Sequence, residues 1–134
     1  MEKNDIKEKL RDLVIEEEIS PELVEKVKKF IRLTRRGQIV FVVPKEKLTI
    51  RDQILLYLLG KRLAKELEFV EKDSASIEEI SSGLGADYFS VASRLSELKS
   101  QHYVLSVERG EYIMVLARLK EILDRLEDLI QEKV

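Results

Sequence analysis

The chain has 134 residues, 44% of them hydrophobic and 37% charged, with a net charge of −2; that suits one ordinary domain of roughly 100–150 residues with extensions. It has no cysteine and a single histidine, which excludes disulfides, thiolate metal sites and histidine-rich zinc sites, so no metal or other cofactor is expected. No apolar stretch approaches the roughly 20 residues of a membrane span, and Met1–Asp5 does not open a signal peptide, so a cytoplasmic protein without membrane contact is expected.

Ile6, Leu10, Leu13 and Val14 recur at helical spacing and predict a short amphipathic helix over 3–18. Ser20-Pro21 reads as an N-cap followed by proline at the first helical position. The helix it opens carries Leu23, Val24, Val27, Phe30 and Ile31 on one face and is expected to stop near Arg36-Gly37, where glycine can take a left-handed cap. Gln38–Val43 is β-branched and aromatic between Gly37 and Pro44, and reads as a strand. Thr49 caps a helix over about 50–67 that is apolar around most of its circumference, as a central buried helix would be. Ser76-Ile77-Glu78-Glu79 is a capping box for a short helix ending near Gly83. Gly85 completes a tight turn, and a helix over about 87–100 follows with Val91, Leu95 and Leu98 inward. Tyr103–Val107 and Tyr112–Val115 flank Glu108-Arg109-Gly110-Glu111 as a hairpin, with Gly110 supplying a positive φ. The last helix covers 116–133. The expected class is mainly α with a small β-hairpin. The expected organisation is an N-terminal helical extension (1–37), a central domain with its preceding strand (38–115) and a C-terminal helix (116–134).

Charge is unevenly distributed. Residues 1–25 hold four basic and nine acidic side chains (net −5), residues 26–65 hold twelve and two (net +10), and residues 66–134 hold eight and fifteen (net −7). A basic block inside an acidic chain is either a polyanion site or the internal counterpart of the acidic ends, Glu16-Glu17-Glu18 among them. Lys28, Lys29, Arg32 and Arg36 are expected on the outer side of the second helix.

Ile80–Ala86 followed by Val91–Leu98, with Leu84-Gly85 as the turn and Tyr103-Val104 entering the hairpin, resembles the winged helix-turn-helix superfamily over about residues 49–115. The resemblance implies a recognition helix at 87–100 and a wing with Arg109-Gly110 at its tip. It implies duplex DNA as partner, and a role as transcriptional regulator or chromosome-associated protein. The same scaffold also serves protein-interaction modules, the alternative here. His102 stands where that pattern usually has glycine, so a different backbone is expected there; its side chain reads as a proton switch or as an exposed turn residue.

A major groove about 12 Å wide admits one helix. The outward face of the recognition helix should carry Phe89, Ser90, Ser93, Ser96, Glu97 and Ser100, with Tyr88, Phe89, Ser90, Ser93 and Arg94 as the groove contacts. That helix is poor in cations, and the wing tip sets Glu108 and Glu111 around one Arg109. Phosphate contacts are therefore expected from Lys29, Arg32 and Arg36, together with Arg109. In the last helix Leu116, Leu119, Leu123, Leu126 and Ile130 alternate spacings of three and four. That is a heptad seam, read as a homodimer interface through Leu119, Leu123, Leu126 and Ile130. No phosphate-binding loop, nucleophile elbow or metal-ligand spacing occurs, so no catalytic residue is expected.

Overall fold

The computed structural model describes residues 3–13 and 19–132. Val14 and Glu16-Glu17-Glu18 of the expected first helix, and Lys133 of the expected last one, lie outside the described residues.

Within the described residues helix α1 spans Lys3–Arg11. Helix α2 (Pro21–Val27) starts as expected, the Ser20 hydroxyl accepting from the Leu23 amide. It stops nine residues earlier than the apolar spacing suggested. Ile31–Leu33 is a strand, β1, paired antiparallel with β2 (Ile39–Phe41), Ile31 opposite Phe41 and Leu33 opposite Ile39. Gly37 is left-handed (φ +81°), as expected of it, but it closes this hairpin and not a helix. Its amide donates to the Thr34 carbonyl. Phe30 and Ile31 are buried in either arrangement, so helical periodicity could not distinguish them; pairing with β2 supplies the main-chain hydrogen bonds that decide it.

Helix α3 (Ile50–Glu66) is the central element, with Ile54, Leu55, Leu56, Leu58 and Leu59 fully enclosed. A short strand β3 (Ala75–Ser76) leads into α4 (Ile77–Leu84), where the Ser76 hydroxyl accepts from the Glu79 amide as the capping box requires. Helix α4 ends at Leu84, next to Gly83 as expected. Gly83 lets α4 approach α3: a Cβ there would stand 2.6 Å from the Tyr57 ring. The left-handed cap is Gly85 (φ +66°). Helix α5 (Tyr88–Ser100) follows, and strands β4 (Val104–Glu108) and β5 (Glu111–Met114) form the hairpin. Gly110 is left-handed at its turn, as expected. Strand β3, not foreseen from the sequence, pairs with β5 and gives a three-stranded sheet in the order β3-β5-β4. Among the described residues the fold is thus mainly helical with two small antiparallel sheets.

Helix α6 (Leu119–Glu132) closes the core. Leu119, Leu123 and Leu126 are buried within the chain itself, and Ile130 packs half-buried against the same cluster. The expected dimer seam is therefore spent inside one molecule, because an apolar stripe at three-and-four spacing fits its own body as well as a twin helix. Buried residues from Val27 in α2 to Leu126 in α6 belong to one contiguous core.

His102 answers the question its sequence position raised. It keeps the left-handed backbone (φ +65°) that glycine would favour. It caps α5, its amide donating to the Lys99 carbonyl and the Tyr103 amide to the Leu98 carbonyl. A non-glycine residue there costs about 1 kcal/mol of backbone strain, partly offset by glycine's greater freedom when unfolded. His102→Gly should accordingly raise the thermal midpoint by a few degrees; a lowered midpoint in calorimetry would mean that the imidazole makes a compensating contact.

Candidate nucleic-acid interface

Helix α5 is capped by Asp87, whose carboxylate accepts from the Ser90 amide at 2.9 Å. Val91, Leu95 and Leu98 face the core, in the phase expected. The opposite face presents Phe89, Ser90, Ser93, Arg94, Ser96, Glu97 and Ser100 to solvent. Phe89 is 77% exposed and meets the Tyr88 ring edge-on at 5.4 Å. Arg94 pairs with Glu97 on the same helix at 3.1 Å, so its charge is locally compensated.

Beside this face lies a cleft of about 500 Å³ bordered by Thr49, Arg51, Ser90, Arg94 and Arg125. It joins the N-terminus of α3, the first turns of α5 and the outer side of α6. Thr49 caps α3, its hydroxyl accepting from the Asp52 amide at 3.1 Å and donating to the Asp52 carboxylate at 2.9 Å. The Asp52 side chain is fully buried and pairs with the Arg125 guanidinium. Burial, and then the charge of Arg51 beside it, pull Arg125 below its ordinary pKa. Arg51 stacks on the Tyr103 ring at 4.8 Å and donates to the Gln101 side chain. Arg118 approaches the same ring at 4.8 Å. A row of guanidinium groups thus borders α5, with the positive end of the α3 dipole adding to it.

Sequence reasoning anticipated Arg51 and Arg94 of this row and missed the other two. Arg118 and Arg125 sit in an acidic segment, and nothing in their neighbours signals that α6 folds back to place Arg125 against α3. Conversely, Lys29, Arg32 and Arg36 are not on one helix face and do not join the cleft. Lys29 pairs with Glu127 of α6 at 2.7 Å, and Lys26 with Asp124 at 2.7 Å. These lysines hold both carboxyls below their ordinary range by hydrogen bonding. Arg32 lies on β1 and donates to the Lys28 carbonyl. Arg36 precedes Gly37, which abuts Val70 and Phe69 just past the C-terminal end of α3. That end is about 25 Å from the cleft at 1.5 Å per residue. The basic block is therefore divided: part of it pairs with the acidic tail, as one of the two sequence readings held, and Arg51 borders α5.

At the β4–β5 tip Arg109 is exposed. Glu111 does not oppose it, because Lys72 at 2.7 Å and the Ser74 hydroxyl at 2.9 Å engage its carboxylate and keep it ionised below the usual range. Leu105 and Val107 on the edge strand β4 are each 48% exposed. Among the described residues no group of three or more acidic or histidine side chains could hold a metal ion. No helix of the described residues is long and apolar enough to cross a membrane.

Comparison with protein-family models, with curated proteins and with solved structures finds no match.

Proposed function

We propose that the chain binds duplex DNA as a winged-helix protein, in the role of a transcriptional regulator or chromosome-associated protein, without catalysis. The observation that carries this reading is the cleft of Arg51, Arg94 and Arg125 beside the exposed serine face of α5. A helix whose outer side bears Ser90, Ser93 and Phe89 can enter a major groove about 12 Å wide. Hydroxyls meet phosphates or base edges there, and a ring meets a thymine methyl. The arginines at the helix flank fall where the backbone of that groove would run, and Arg109 extends the contact from the wing. The element order supports the same reading: α3, α4, a left-handed glycine turn, α5, then a hairpin with a third short strand.

The affinity is expected to reside in the cleft and not in β1 or its turn. Each phosphate neutralised contributes about −0.9 to the slope of log affinity against log salt. Arg51→Ala should flatten that slope by up to about one unit on every duplex tested, and Arg94→Ala by less, because Glu97 offsets its charge. Arg32→Ala with Arg36→Ala should leave it unchanged. Fluorescence anisotropy across a salt series measures both, and absence of binding at about 50 mM salt sinks the DNA reading.

A second reading has its own observation. Phe89 at 77% exposure, with Tyr88 and with Leu105 and Val107 of β4 also exposed, offers more apolar surface than phosphate binding needs. Docking of a protein partner on α5 would use these residues, and Phe89→Ala would then abolish capture while Arg51→Ala would not.

A further inference from the structure

Resting on the DNA reading above, we propose that the face of α5 binds duplex DNA irrespective of base sequence, so that the chain occupies DNA along its length and does not seek out one operator. Sequence is read by side chains that reach base edges, whereas contacts to phosphate fix position and carry no sequence information. The described side chains divide between these two tasks unequally.

The guanidinium groups stand at the flank of the helix, each tied to a partner. Arg51 stacks on Tyr103 and donates to the side chain of Gln101, the residue that caps the end of α5. Arg118 reaches the same ring and pairs with Glu121 at 2.6 Å. Arg125 pairs with the buried Asp52. Arg94 is the one arginine of α5, and it borders the cleft that Arg51 and Arg125 also line. An arginine selects guanine through two parallel hydrogen bonds to O6 and N7. One terminal nitrogen of Arg94 already donates to Glu97. Glu97, whose carboxylate would select the amino group of cytosine, is occupied by the same pair. Lys99, exposed in the last turn, brings a point charge without a fork.

Hydroxyls and rings are left to meet the base edges. Ser93, Ser96 and Ser100 are exposed along the outer side, with Ser90 in the first turn. A serine hydroxyl is donor and acceptor at once and turns to suit its neighbour, so it meets the donor of one base and the acceptor of another alike. It does not form the bidentate pair that discriminates between bases by about 5–150-fold. Phe89 adds one apolar contact, which against a thymine methyl amounts to about fourfold. Proteins that select a site hold it about 10³–10⁷ times tighter than bulk duplex, and this face is expected to stay below about 10². So small a ratio does not single out one site among about 10⁶–10⁹ competitors, which favours the chromosome-associated role over the regulator's.

The test uses the wild-type chain on two sets of duplexes. After repeated selection from a random pool, anisotropy on the most enriched and on unselected duplexes should give affinities within about a hundredfold of each other. Enrichment should not exceed about fourfold for thymine at one position, and Phe89→Ala should remove it. Duplexes of about two, four and six helical turns should take up chains in proportion to their length. A selected motif bound more than about a hundredfold above unselected duplex overturns the proposal and leaves the DNA reading in place. So does saturation at a single complex on duplexes of every length. Failure to bind any duplex at about 50 mM salt overturns the DNA reading and sequence-independent binding with it.

Discussion

Leu123→Asp should abolish cooperative folding. Leu123 is completely buried at the centre of the α6 face that closes the core. Replacing it removes a packed side chain, which costs about 2–5 kcal/mol, and buries a carboxylate with no partner, which costs several more. Domain stability is commonly about 5–15 kcal/mol, so the sum takes most or all of it. Far-UV circular dichroism through a thermal ramp should show no sharp transition. A folded variant with a normal midpoint and half the wild-type mass would be the opposite outcome. It would return α6 to the dimer-forming role that its leucine spacing suggested and would require its inner face to be covered by a partner.

Arg125→Ala should cost about 2–3 kcal/mol, a large loss for a residue that is half exposed. The effect comes from what it abandons. Asp52 has no solvent exposure, and with Arg125 gone it keeps, among the described residues, only the Thr49 hydroxyl as a side-chain partner. Removing one member of a buried ion pair typically costs about 3–5 kcal/mol. The exposure of Arg125, 45% for its side chain, argues for less because water reaches the site. Asp52→Asn in the Arg125→Ala background should recover roughly half, since a neutral amide needs no counter-charge. Denaturant unfolding of the two single variants and the double variant gives the coupling directly. A loss below about 0.5 kcal/mol for Arg125→Ala would show that water replaces the guanidinium without penalty. The residue that locks α6 onto α3 is also the one that brings a third guanidinium to the cleft.

Much of this architecture is determined by the sequence alone, wherever the signal is local. Ser20, Thr49 and Ser76 each accept an amide hydrogen bond at the helix start that their position implies. Gly85 and Gly110 are left-handed where the turns demand it. Val91, Leu95 and Leu98 face inward, so the outer face of α5 follows by elimination. These features depend on residues within one turn of each other, and a 3.6-residue period reads them without reference to the rest of the chain. Tertiary structure alone decided the others. Phe30 and Ile31 fit a helix face and a buried strand equally well, and only the presence of β2 alongside made them a hairpin. The leucines of α6 satisfy a heptad, but whether the opposing surface belongs to the same chain or to another is a matter of long-range packing. The +10 block is contiguous along the chain but not in space. Folding pairs Lys26 and Lys29 with α6, sends Arg36 to the far end of α3, and gathers Arg51 with Arg94 and Arg125 from segments 31 to 74 residues away. Hydrogen bonds within a turn are encoded locally; which charges become neighbours is set by how the helices dock.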